Sequence, residues 1–182
     1  ILLSILLTTS LFAKDIIAVL DLEQIGLTPQ EATILTQRLT TKLISLNKYQ
    51  VVERNNMDKI LKEQKFQNSG CTDSECAVEI GQLLNADITV IGTVSKFGDT
   101  YTIDSRIINV GNGEALGSAS YTHTGNIDQL VKDGIESVAR ELLGVKTPLL
   151  KKVSNIVYNN RYIIGGVSLV IWIAWGMNWI VL

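Results

Sequence analysis

The residues best suited to chemistry are the two cysteines of this 182-residue chain, Cys71 and Cys76, in the segment NSGCTDSEC. Between them, Thr72 and Glu75 are spaced as in a capping box, which predicts Thr72 as the N-cap of a helix. The cysteines would then lie at the two flanking positions that touch in a hydrophobic staple. A disulfide between them would fix the angle at which the chain enters the helix. Closing this short loop is expected to stabilise the fold by ~2 kcal/mol.

Two other roles of the cysteine pair remain as alternatives. A thiolate close to a helix N-terminus is stabilised, so Cys71 and Cys76 could form a redox-active pair. Their spacing is not Cys-x-x-Cys, however, and the sequence around them is not thioredoxin-like. A metal site would need further ligands, and the single histidine, His123, lies on an alternating strand that favours a solvent-facing side chain. The prediction is therefore a structural disulfide, as suits an exported protein, and no bound metal.

Other polar residues do not form the pattern of a catalytic or cofactor site. Asp21 and Glu23 follow the first predicted strand, where ligands of α/β proteins often bind, but no glycine-rich phosphate loop accompanies them. Ser118 and Ser120 lack the surrounding sequence of a nucleophile elbow. The sequence therefore predicts a protein that is not an enzyme and that uses no cofactor.

Charge and composition narrow the class of partner. The chain carries 16 basic and 18 acidic residues, which are interspersed and give a net charge of −2. A basic stripe with interleaved aromatic residues is missing from the sequence, so nucleic acid is not expected as a partner. Glu53, Arg54 and Arg106 are expected in ion pairs at the surface or at a sheet edge.

Hydrophobic patterning predicts one α/β domain over residues 14–144. Residues 16–20 form a continuous apolar run, typical of a buried strand. Thr28 and Glu31 then form a capping box around Pro29, and an apolar helical stripe follows. The remaining predicted elements are a strand at 49–53, helices from 55 and around 80–84, strands at 87–94, 101–110 and 114–124, and a helix from Asn126 to Gly144. The order β-α-β-α-α-β-β-β-α predicts a mixed sheet with helices packed on it.

Both ends of the chain predict a link with membranes. Residues 1–13 are uncharged, as in the remnant of a secretory signal; the alternative is a buried first strand. No cysteine lies near the expected cleavage site, which argues against lipid attachment. Residues 145–161 are predicted as a basic linker. The uncharged run from Tyr162 to Leu182 (162–182) is predicted to cross a membrane as a helix, most simply the inner membrane, with the domain in the periplasm of a Gram-negative-type bacterium.

A longer signature lies in the segment VVERNNMDKILKEQKFQNSGCTDSECAVEIGQLLNADITVIGTVSKFGDTYTIDSRIINVGNGEAL, residues 51–116. It begins with a strand that ends in the pair Glu53 and Arg54. It continues in the pattern IG..L.AD..V.G.V..FGD.Y.I..R.I.V..GE, from Ile80 to Glu114. This segment resembles the CsgG family, the curli assembly and transport component group, and the likeness extends over about residues 16–144.

The resemblance implies a periplasmic α/β domain with an anticodon-binding-like fold and without enzymatic activity. Members of the family oligomerise or dock on other envelope proteins; one forms an outer-membrane secretion pore for curli subunits, and a related group activates peptidoglycan synthases. This chain lacks the lipidation cysteine and the long amphipathic insertions of the pore-forming member, and it ends in an apolar run. Secretion-pore activity is therefore not expected.

These observations predict a membrane-tethered, non-catalytic module that assembles cell-envelope proteins. Its expected partners are other envelope proteins and a second copy of itself, with residues 162–182 in contact with the membrane. Two alternatives differ in class: a membrane-tethered thiol oxidoreductase that uses Cys71 and Cys76, and an activator-type docking protein for peptidoglycan synthases.

Overall fold

A six-stranded sheet lies between two layers of helices in the computed structural model of the chain, which describes residues 14–64 and 71–146. The strands are β1 (Ile16–Val19), β2 (Glu23–Ile25), β3 (Gln50–Val51), β4 (Ile88–Phe97), β5 (Thr100–Asn109) and β6 (Ala115–Thr124). The helices are α1 (Pro29–Leu46), α2 (Arg54–Glu63), α3 (Ser74–Leu83), α4 (Ile127–Gln129), a π-helical segment (Leu130–Gly134) and α5 (Ile135–Leu142).

The chain divides into two units, residues 1–145 and 146–182, and every element named above belongs to the first. The predicted signal remnant and the predicted membrane helix lie outside the described residues, as does nearly all of the predicted linker. Among the residues that the structure describes, no helix has the length and hydrophobicity needed to cross a membrane.

The sheet is mixed, as the order of elements predicts. Its strands follow the order β3-β1-β4-β5-β6, and β2 also pairs with β4, further along that strand than β1 does. β1 is parallel to β3 and β4, and β2 is parallel to β4, whereas β4, β5 and β6 form an antiparallel meander. In the described part of the chain, β6 therefore forms one edge of the sheet, and the short strands β3 and β2 form the other.

The sequence does not predict β2, which continues the line of β1 after a short break. At the break, the Leu22 backbone N–H donates to Thr36 Oγ1 (3.1 Å), and the fully buried Thr36 hydroxyl donates in turn to Ala32 O (2.9 Å). A helix side chain thus satisfies a buried backbone donor that the sheet leaves without a ladder partner. This allows the chain to leave the sheet for three residues and return to it.

Helix α1 forms where the capping box predicts. Thr28 Oγ1 accepts a hydrogen bond from the Glu31 backbone N–H (3.2 Å), and Glu31 Oε2 accepts one from the Thr28 backbone N–H (2.7 Å). The Thr28 hydroxyl also donates to Glu31 Oε2 (2.7 Å), and the two hydrogen bonds that the carboxylate accepts, chiefly the one from the backbone N–H, lower the pKa of Glu31. The predicted apolar stripe is buried at Ala32, Leu35, Leu39 and Leu43.

Two separate apolar clusters hold the helix layers to the sheet. The larger one packs α1 and α5 against one face of the sheet, through strand residues such as Val19, Val90 and Ile103. The smaller one packs α2 and α3 against the other face, through Ala18 and Ile91 among others. Among the described residues, the apolar cluster of this second layer extends only to Ile91 in β4 and to Ile108 in β5, so the layer covers only part of its face.

Candidate interaction surface

The two cysteines are paired at the start of α3, as a disulfide between Cys71 and Cys76 whose Cα atoms lie 5.8 Å apart. Cys71 is buried, with 2% of its surface exposed, in the cluster that also contains Met57 and Ile80. The disulfide therefore fixes the start of α3 to a residue that is packed against α2 and the sheet.

The predicted N-cap of α3 is wrong by one residue. Asp73, and not Thr72, caps the helix: Asp73 Oδ1 accepts a hydrogen bond from the Cys76 backbone N–H at 2.8 Å, and α3 begins at Ser74. Both residue types are good N-caps, so local sequence alone did not decide between them. Cys71 consequently lies two positions before the cap, and the pair does not occupy the two positions of a hydrophobic staple.

Arg106 links the cysteine segment to the sheet. Its Nη2 donates to the backbone carbonyl of Thr72 at 2.6 Å, across 34 residues of sequence. Arg106 was expected in an ion pair, and the structure instead directs it to this main-chain oxygen. The bond anchors the loop before α3 on β5, at the border of the sheet area that the helices leave uncovered.

The expected ion pair of Arg54 is present at the carboxyl ends of β1 and β3. Arg54 Nη1 and Nη2 lie 2.5 Å and 2.7 Å from the two carboxylate oxygens of Asp21, and Arg54 Nε lies 3.3 Å from Asp58 Oδ1. Burial by itself would lower the pKa of Arg54, but the hydrogen bond and charge of Asp21, together with Asp58, outweigh burial and raise it. A bidentate ion pair thus occupies the position where α/β proteins often bind ligands.

The other residues considered for chemistry lie apart from one another. Glu53 is exposed and directly precedes α2. His123 is half-buried and not solvent-facing, because strand alternation places it on the sheet face that carries α1 and α5. Ser118 is exposed, and Ser120 Oγ donates to Asp104 Oδ1 at 2.6 Å. In the described part of the chain, no group of three or more histidine, cysteine, aspartate or glutamate side chains is arranged to hold a metal ion.

Among residues 14–64 and 71–146, α2 and α3 leave part of one face of the sheet uncovered, and we call this part the open face. Its side chains come from β4, β5 and β6 and alternate with buried residues such as Ile103 and Ala119. The open face consists of Thr93, Thr102, Asp104, Arg106, Ser118, Ser120 and Thr122. A groove of about 470 Å³ on it is bounded by residues that include Thr72, Asp104 and Arg106.

A large aromatic side chain stands at one end of the open face. Phe97, the last residue of β4, is 69% exposed, and by strand alternation it belongs to the same face as Thr93. Ile25, which is aligned with Ser95 on the neighbouring strand, is 45% exposed. Exposed aromatic residues beside small polar ones are typical of protein-binding surfaces.

Sequence reasoning missed the open face, although β5 carried a signal for it. From Thr100 to Arg106, the even-numbered residues are all polar, and they alternate with Tyr101, Ile103 and the small Ser105. This pattern predicts that the strand has one buried and one solvent-facing side. The alternation within β5 could not show that the solvent-facing surface extends over β4, β5 and β6. The extent of this surface depends on how far α2 and α3 reach across the sheet.

Comparison with known proteins agrees with this architecture. The family model described as curli production assembly/transport component CsgG matches residues 24–113. No curated protein sequence matches the chain. Among solved structures, the LpoB C-terminal domain from Salmonella enterica is 15% identical with a TM-score of 0.52, over 64% of this chain and 87% of that one. Lipoprotein GNA1162 from Neisseria meningitidis is 16% identical with a TM-score of 0.54, over 80% of this chain and 95% of that one.

The fold and the surface together define a three-layer α/β scaffold with an exposed polar sheet face. Residues 24–113 match the CsgG family model, which confirms the resemblance predicted from the sequence. The structural neighbours, at identities of 15% and 16%, support the fold and not a shared function.

Proposed function

We propose that the domain is a non-catalytic module of the cell envelope that recruits or assembles other proteins through its open face. The observation that carries this proposal is the uncovered area of β4, β5 and β6 with Phe97 at its end, on a domain of the CsgG family. Small hydroxyl side chains allow a partner backbone to approach closely, while Asp104 and Arg106 offer both signs of charge for orientation.

Replacing Phe97 by serine is expected to reduce partner binding about tenfold or more, because exposed aromatic anchors carry a large share of binding energy. The measurement is recovery of envelope proteins on immobilised full-length chain, compared by quantitative mass spectrometry between the wild type and Phe97→Ser. Ile44→Ser is the matched control, since Ile44 is 48% exposed on α1, in the opposite helix layer. Equal losses in the two variants, or no loss in Phe97→Ser, would count against the open face.

The membrane link is a second part of the proposal. The uncharged run of residues 162–182 supports attachment to the inner membrane, with the domain in the periplasm. Added protease is then expected to digest the domain in spheroplasts and to leave it intact in whole cells. A domain that fractionates as soluble protein, or that stays protected in spheroplasts, contradicts this placement.

Two alternatives stand beside the main proposal. Docking on a peptidoglycan synthase is a special case of the main proposal, raised by the family resemblance. In that case a synthase would be found among the recovered proteins.

Thiol oxidoreductase activity is an alternative of a different class. The burial of Cys71 disfavours it, because catalytic cysteines are partly exposed and lie in electropositive surroundings. The Asp73 carboxylate beside the Cys76 backbone disfavours it further.

A further inference from the structure

The two edges of the sheet differ sharply in their capacity to pair with another strand. One edge consists of β3, which has two residues, and β2, which has three, so it offers little backbone for pairing. β6, at the other edge, has ten residues and pairs with β5 alone in the part of the chain that the structure describes. Very short edge strands are one of the usual protections against edge-to-edge association, so one edge is protected and the other is long.

The sequence of β6 also lacks the other common protections of an edge. Its residues, ALGSASYTHT, include no lysine, no acidic residue and no proline. The one irregularity is a register shift opposite Ile107 and Ile108, at the start of β6, which leaves residues 117–124 in regular pairing. The side chains that β6 adds to the open face are small hydroxyl residues: Ser118, Ser120, Thr122 and Thr124.

We infer that two copies of this chain pair through β6, antiparallel and about a two-fold axis, to form one continuous sheet. Extension of the sheet from copy to copy, by pairing β6 of one copy with β3 of another, is disfavoured because β3 has only two residues. Pairing β6 with β6 uses the long edge twice and closes the assembly as a dimer. An uncharged strand meets no like-charge repulsion from its own copy, and Ser and Thr side chains facing one another across a strand pair are favourable.

This inference rests on the proposed role as an assembly module, and it names a second copy of the chain as one partner. It uses the edge of β6, whereas the binding test above uses Phe97 at the far end of β4. The two proposals can therefore fail independently of each other.

The geometry makes a position-specific prediction for cross-linking. In an antiparallel pair about a two-fold axis, the residue at the axis lies opposite its own copy, with Cβ atoms about 5 Å apart. That separation is close to the Cβ spacing of a disulfide. Single cysteines are introduced into the full-length chain by Ser118→Cys, Ser120→Cys or Thr122→Cys, and membranes are treated briefly with oxidant. Thr102→Cys, one strand further in, is the matched control, because Thr102 is paired with Thr122 and lies on the same face.

We expect a covalent dimer on non-reducing gels that is strongest at one or two of the β6 positions and weak at position 102. The chain without an added cysteine sets the background from Cys71 and Cys76. A 1:1 mixture of Ser118→Cys with Ser120→Cys, or of Ser120→Cys with Thr122→Cys, tests an axis at residue 119 or 121, where these positions face one another. Equal cross-linking at all four positions would indicate random collision, and no cross-linking in any β6 variant or mixture would exclude the pairing; either result overturns the inference.

A charge variant provides the second arm of the test. Adding Thr122→Lys to Ser118→Cys or Ser120→Cys, whichever cross-links more strongly, is expected to reduce the dimer band about tenfold, because an edge lysine blocks strand addition. Thr102→Lys, with the same charge one strand in, should leave the band unchanged. An unchanged band in Thr122→Lys would refute β6 pairing, even if the chain still forms dimers by another surface.

Discussion

Replacing Gly92 by alanine is expected to lower the free energy of unfolding by about 3 kcal/mol, the upper end of the cost of overpacking a core. A Cβ atom at Gly92 would overlap the backbone carbonyl oxygen of Asp104 and would lie 2.7 Å from Ser105 Oγ. Asp104 cannot retreat easily, because β5 is held between β4 and β6 by hydrogen-bonded pairing on both sides. This is the physical reason for the glycine in the V.G.V part of the family-like signature.

The measurement is urea unfolding followed by circular dichroism, with Gly117→Ala as the matched control. Gly117 lies in β6 of the same sheet, and a Cβ there would meet only Leu142 O at 3.9 Å, an ordinary contact. Gly117→Ala is expected to be neutral or slightly stabilising, because alanine loses less conformational freedom on folding than glycine does. Similar free energies of unfolding for the two variants would show that the overlap between the new Cβ atom and the Asp104 carbonyl is relieved by local movement of the backbone.

Replacing both Cys71 and Cys76 by alanine is expected to lower the free energy of unfolding by ~2 kcal/mol, since the loop that the disulfide closes is short. A reducing agent should destabilise the wild type by a similar amount and should leave the double variant unchanged. That comparison separates the loss of the disulfide from the loss of the buried Cys71 side chain. A wild type that is insensitive to reductant, or two free thiols in protein isolated from an oxidising compartment, would contradict a structural disulfide.

The same double variant separates binding from redox chemistry. If the cysteine pair is structural, envelope-protein recovery by the variant is retained at temperatures where it is folded, and the wild type shows no catalysis of insulin reduction. Catalysis by the wild type that disappears in the variant would instead establish the oxidoreductase alternative.

Local signals predicted the parts of the fold that are locally determined. The Thr28 and Glu31 capping box and the apolar stripe of α1 each depend on residues close in sequence, and each is present. The mixed sheet followed from the order of these elements. The predicted N-cap of α3 was wrong by one residue because threonine and aspartate, at positions 72 and 73, are both favourable N-cap residues. The structure gives the cap to Asp73 while the carbonyl of Thr72 binds the distant Arg106.

The features that the sequence did not predict depend on contacts between distant segments. β2 has three residues and is a strand only because β4 lies beside it. The open face exists because, among the described residues, the apolar cluster of α2 and α3 with the sheet extends only to Ile91 and Ile108. The exposure of Phe97 could not be inferred from the residues next to it in sequence, since it depends on whether a distant segment packs over the end of β4.

The parallel pairing of β1 with β4 sets an order in which this domain can be completed. Ile17 is aligned with Ile88, so the first strand has only the two-residue β3 as a partner until about 70 further residues are available. The β4–β5–β6 meander, by contrast, joins neighbours in sequence and closes short loops. During synthesis, the meander can form as soon as its three strands are available, whereas β1 can pair with β4 only after that segment has been made. We therefore expect the N-terminal strand to be among the last parts of the sheet to pair.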